Sequence, residues 1–160
     1  MGKAAVRRLA LLLVAAFVSA AACDSLFAPS SNDTPAQIEQ EIFKLINDFR
    51  RGIGAAELTW NDTIAEQARF HSQSMAAGTV PFGHDGFDDR AALIGETIPW
   101  RAAAEIIALA GSAAEAVNAW ITSTEHRPAI EGNYNLTGVG VAMAKSGSSF
   151  YATQIFIKPR

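Results

Sequence analysis

The apolar positions of this chain change period along its length. From Thr34-Pro35, a cap followed by a first-turn proline, Ile38, Ile42, Phe43, Leu45, Ile46 and Phe49 recur at helical spacing as far as Gly52 and Gly54, which predicts one amphipathic helix. After Leu58-Thr59-Trp60, the cap cluster Asn61-Asp62-Thr63 opens a second helix with the stripe Ile64, Ala68, His71 and Met75, ended by Gly78. His71 therefore falls on a packed face, where a hydrogen-bonded core histidine is expected rather than a ligand. Between Gly78 and Gly111 glycines, prolines and Asp88-Asp89 interrupt the pattern; a short helix near 88–94 is predicted, and 96–103 carries no readable period. Ser112-Ala113-Ala114-Glu115 is a capping box that starts a third helix, with Ala116, Val117, Trp120 and Ile121 as its buried side. If that helix continued, Ser123 and His126 would share a face with Trp120, but Pro128 disfavours helix at Arg127 and points to a tight turn.

Beyond Asn133-Tyr134-Asn135 the period becomes two. Residues 137–144 set Val139, Val141 and Met143 on one face and Gly138, Gly140 and Ala142 on the other, so a helix or another backbone is expected to press against the small-residue face. Ser146-Gly147-Ser148 reads as a hairpin turn, and Phe150 to Ile157 returns as a strand with bulk on both faces. Helices first, a doubly buried antiparallel hairpin last: the fold class is α+β, layered around a sheet.

Composition adds an address. The first 22 residues begin Met-Gly-Lys-Ala-Ala-Val-Arg-Arg, run apolar from Leu9 to Val18 and leave through Ser19-Ala20-Ala21-Ala22, the pattern of a secretory leader too short to span a bilayer. Cys23 follows and is the chain's one cysteine. A lone thiol in an exported protein has no disulfide partner, and its position is that of a cysteine acylated in bacterial lipoproteins; membrane attachment through Cys23 is the expectation. The alternative is cleavage after Ala20-Ala21-Ala22 to release a secreted protein. Residues 23–33 read as a lipidated cysteine and tether, and 34–160 as one domain. Removing residues 1–22 deletes three bases and no acid, deepening the net charge from −3 to −6. An acidic chain without clustered Lys or Arg is unsuited to nucleic acid.

The candidate chemistry centres on Pro81-Phe82-Gly83-His84-Asp85-Gly86-Phe87, where one of three histidines stands between glycines and phenylalanines that hold the loop. Glu105 and His126 are the residues that could complete a site with it. The chain has no Gly-x-Ser-x-Gly elbow, no Gly-x-Gly-x-x-Gly and no Walker loop.

Several motifs in order carry a resemblance. Leu58-Thr59-Trp60 before Ala68-x-x-His71-Ser72-x-x-Met75, then Phe82-Gly83-His84-Asp85-Gly86-Phe87, Ala104-Glu105-Ile106-Ile107-Ala108, Trp120-x-x-Ser123-x-x-His126-Arg127, Val139-Gly140-Val141 and Tyr151-x-Thr153-Gln154-x-Phe156 resemble the CAP superfamily. This group holds cysteine-rich secretory proteins, antigen five and plant pathogenesis-related proteins; the chain is similar to its disulfide-free bacterial form over about residues 38–158. The resemblance implies a three-layer α-β-α sandwich with a central antiparallel sheet. It also implies a cleft of two histidines and two acids that in some members holds a divalent cation. Carried over by position, these are His84, His126 and Glu105, with Ser123 where the family has its second acid and Ile106 where an asparagine is usual.

Two imidazoles and a carboxylate suit Zn²⁺ with an open position for water, as in metal-assisted hydrolysis. The three are 21 residues apart each way, so only the resemblance brings them together. In that reading His84, His126 and Glu105 are metal ligands or Glu105 is the base; a Ser123–His126 nucleophile pair is a further option, and Glu96 and Glu125 are spare acids. Without metal, the same residues form a hydrogen-bonded cluster holding loop 78–100. Three functions stay open: a binding module for a lipid, peptide or cell-wall fragment, a metal-assisted peptidase or esterase, and a structural protein with a vestigial cleft.

Overall fold

The computed structural model describes residues 33–160; the leader, Cys23 and the tether through residue 32 lie outside the described residues. The elements run α1 (Pro35–Gly52), β1 (Thr59–Trp60), α2 (Asp62–Ala77), α3 (Phe87–Thr97), β2 (Trp100–Ala110), α4 (Ala113–Thr122), α5 (Arg127–Glu131), β3 (Leu136–Met143) and β4 (Phe150–Pro159).

The helix starts follow from their caps. The Thr34 side chain accepts from Gln37 N, and Gln37 Oε1 accepts in return from Thr34 N at 2.8 Å. Asn61 accepts from Ile64 N. Ser112 Oγ accepts from Glu115 N, but the Glu115 carboxylate takes the Gly111 N–H instead of closing the box on Ser112. Past Trp120, α4 ends at Thr122. A five-residue α5 then begins at Arg127 where a turn was expected, because Pro128 sits in its first turn, where no intrahelical N–H is needed.

The sheet order is β1-β3-β4-β2. The three long strands are antiparallel, and the two-residue β1 is parallel to β3; two residues are too few to show a period in the sequence. Strand β2 is the larger surprise, since Ala102-Ala103-Ala104 has little intrinsic preference for extended structure. Pairing settles it: from Ala102↔Lys158 to Ala110↔Phe150 every residue has a partner on β4.

Alternation along the strands divides the core into two layers. Ile106, Ala108, Val139, Val141, Phe150, Ala152 and Phe156 pack against α1, α4 and α5, and Trp120 Nε1 donates to Ile107 O at 2.7 Å to tie α4 to β2. On the opposite face Ile155 and Ile157 meet Ile64 and Ala68 of α2 and Ile94 of α3. Helices on both sides of the sheet make the expected α-β-α sandwich, and β4 is buried on both faces. The small-residue face of β3 lies against the backbone of α2: a Cβ at Gly138 would stand 2.1 Å from Ala65 N, and one at Gly140 2.0 Å from Arg69 N. Only glycine permits that approach.

Candidate functional site

The odd positions of β2 face the α2–α3 layer and place Glu105 under it, with its side chain 1% exposed. A carboxylate so deeply buried requires donors, and Arg90 of α3 supplies them. Arg90 Nε donates to Glu105 Oε2 at 2.9 Å and Nη2 to Oε1 at 2.7 Å, while Nη1 donates to Asp85 O at 2.9 Å. The guanidinium is spent in three directions and is itself only 6% exposed. Gly86, at φ +76°, turns the chain into α3 and leaves room for it: a Cβ there would stand 3.3 Å from Arg90 Nη1.

His84 completes the cluster. Its Nδ1 lies 3.0 Å from Glu105 Oε1, and its side chain is 49% exposed. Because the carboxylate accepts, Nδ1 carries the proton, and in the neutral ring Nε2 is left as an acceptor. His71 holds the loop from beneath. Gly83 O can only accept, so His71 Nε2–H donates to it at 2.7 Å, and the same nitrogen lies 4.0 Å from Glu105 Oε1. Burial holds the His71 pKa below its ordinary 6.5 and the Arg90 charge acts the same way, against the upward pull of the Gly83 bond and Glu105. The expectation of a hydrogen-bonded core histidine at 71 is met, and its partner is the backbone next to His84.

His126 is the first residue before α5 and is half-buried. Among the described residues its ring makes no hydrogen bond or ion pair, so the structure joins His84 to Glu105 and shows no such link to His126. Ser123 ends α4, and its Oγ accepts from Glu125 N at 3.2 Å and His126 N at 3.3 Å. It caps a turn by bonding the His126 backbone, so there is no Ser–His side-chain pair. Glu96 and Glu125 have no bond to the cluster. Among the described residues no group of three or more His, Cys, Asp or Glu side chains could hold a metal ion. Both Glu105 oxygens are moreover engaged by an arginine whose charge opposes a cation.

Arg90 is the residue that motif reading passed over. Its signal was present, since Phe87, Arg90, Ala91 and Ile94 fall at helical spacing, and a lone arginine on an apolar stripe needs a buried acid.

A family model described as the cysteine-rich secretory protein family, CAP, matches residues 43–156. The chain belongs to the CAP family. Among solved structures, the CAP domain is similar to an extracellular protein containing an SCP domain from Bacillus anthracis, at 29% identity and TM-score 0.64, over 81% of this chain and 45% of that one. An outer surface protein of Borrelia burgdorferi matches at 16% identity and TM-score 0.67, over 80% and 97%. A cysteine-rich secretory protein of Staphylococcus aureus matches at 20% identity and TM-score 0.63, over 79% and 40%. The last two likenesses show the fold alone, and the chain spans less than half the length of the Bacillus and Staphylococcus proteins. A comparison with curated proteins finds no match. No helix among the described residues is long and apolar enough to cross a membrane.

Proposed function

We propose that this CAP protein is an exported, envelope-anchored binding module that meets its ligand through His84 and works without a resident metal. The observation that carries the reading is the Glu105 carboxylate held by the Arg90 fork and bonded to His84 Nδ1. In this reading the guanidinium supplies the positive charge that a cation would supply elsewhere in the family. The buried pair orients the imidazole, and the exposed Nε2 edge receives a hydrogen bond from a lipid, peptide or cell-wall fragment. A metal-assisted hydrolase is less well supported: Glu105 is not free to act as a base, and Ser123 faces backbone amides.

Export and anchoring rest on the leader and on Cys23, the one cysteine. The bacterial neighbours described as extracellular and outer-surface proteins support the same location. Mass spectrometry of the mature chain tests this part: a diacylated N-terminal Cys23 is expected, and an unmodified Cys23 would remove the anchor. The binding part is tested by sedimenting the Cys23→Ser protein, which carries no acyl chain, with purified cell-wall sacculi and with phospholipid vesicles. Retention by one of them, lost in His84→Ala while stability holds, is expected; no retention by either, or retention indifferent to His84, rejects the reading.

A further inference from the structure

The back of the Arg90–His71 cluster opens on a second feature, between α2 and α3. A pocket of about 260 Å³ is walled by Phe70, Val80 and Leu93 and floored by His71 and Arg90, with Asp85 and Asp89 at its mouth. Small-molecule pockets run from about 300 to 1,000 Å³, so this one has the capacity of a single side chain. Two of its walls are exposed large apolar residues, Phe70 at 64% and Leu93 at 48%, on a surface where such groups gain from being covered.

The charge around the pocket has one sign. Residues 62–97 contain Asp62, Glu66, Asp85, Asp88, Asp89 and Glu96, against two bases, Arg69 and Arg90. Both bases are already neutralised, Arg69 by Glu39 and Arg90 by Glu105. Among the described residues Asp85, Asp88 and Asp89 take part in no ion pair. The N-terminus of α3 favours acids at 88 and 89, but it brings no basic side chain to answer them.

We infer that the α2–α3 pocket seats one apolar side chain of a basic peptide segment, whose flanking cations meet Asp85 and Asp89. Apolar walls with an acidic rim select an apolar anchor between positive charges and reject the same anchor between negative ones. The chain's own Leu26-Phe27 is a poorer occupant, since Asp24 precedes it and no base lies nearby. The site is separate from the exposed edge of His84, so it stands or falls independently of the function proposed above.

The test is amide NMR of the protein titrated with the blocked tripeptides Lys-Phe-Lys, Glu-Phe-Glu and Lys-Ala-Lys. Saturable shifts at Phe70, Ser74, Val80 and Leu93 are expected for Lys-Phe-Lys, with affinity at least about tenfold weaker for the other two. Phe70→Ser and Leu93→Ser, both at exposed positions, should abolish the shifts without unfolding the protein, and Ile53→Ala, the truncation of another exposed apolar residue just past α1, should not. Asp89→Asn should weaken binding about threefold and flatten its salt dependence. No saturable shift, equal binding of Glu-Phe-Glu, shifts that survive both pocket variants, or tighter binding of a blocked Asp-Ser-Leu-Phe-Ala peptide would overturn the proposal.

Discussion

Arg90 and Glu105 lie 15 residues apart in sequence and meet in a two-pronged ion pair, at 2.9 and 2.7 Å, with 6% and 1% of their side chains exposed. Removing one partner strands the other charge inside the protein. Arg90→Met is therefore expected to cost about 3–5 kcal/mol in denaturant unfolding, and the double variant Arg90→Met/Glu105→Leu clearly less than the single one. A single-variant cost below about 1 kcal/mol would mean that the pair is solvated as a surface bridge is.

The pH dependence of stability should carry the signature of His71. Its folded pKa is lowered, chiefly by burial and then by Arg90, so below about pH 6.5 the unfolded chain binds a proton that the folded one resists. The contribution of His71 is complete above that pH and is lost as pH falls through the lowered folded value. His71→Gln keeps a donor for Gly83 O but cannot titrate. Unfolding measured between pH 7.5 and 5 should fall less steeply for the variant than for the parent; parallel curves would show that His71 takes up its proton as readily in the folded chain as in the unfolded one.

The contact of β3 with α2 predicts a sharp contrast among glycines. Gly140→Ala drives a methyl to within 2.0 Å of the Arg69 backbone nitrogen, and neither backbone can yield. A loss of about 3 kcal/mol or more is expected. Gly83→Ala meets nothing within 4 Å among the described residues and should unfold close to the parent, which a thermal scan of both variants would establish.

Gln154 is fully buried, and among the described residues its Oε1 has no hydrogen-bond partner while its Nε2 donates to Thr137 Oγ1. Thr137 Oγ1 still donates to Ile155 O without it. Replacing an amide that is half unsatisfied by an apolar side chain of similar volume costs little, so Gln154→Met is expected to change stability by less than about 1 kcal/mol. A larger loss in chemical denaturation would show that Oε1 is satisfied by a bound water.

The sequence was legible wherever local chemistry decides structure. Thr34, Asn61 and Gly78 mark helix limits because a cap is a local bond, and Gly138 and Gly140 announced the approach of a helix or another backbone because alternation in a strand shows which face lacks side chains. Strand β2 was not legible, since its Ala-rich run is extended only through β4, some 50 residues later. The site divides in the same way. Motif order led to His84 and Glu105, which meet; it did not lead to Arg90, whose role exists only once α3 is laid over β2. His71 was placed correctly as a core histidine by its stripe, but its partner, the Gly83 carbonyl, belongs to a loop with no period.

The most direct test of the account is a calorimetric titration of the metal-free protein with Zn²⁺ at neutral pH. With Arg90 holding both oxygens of Glu105, the protein is expected to show no stoichiometric uptake at micromolar Zn²⁺, and the heats should match those of His84→Ala. One equivalent bound at micromolar concentration, and lost in both His84→Ala and His126→Ala at unchanged stability, would contradict it.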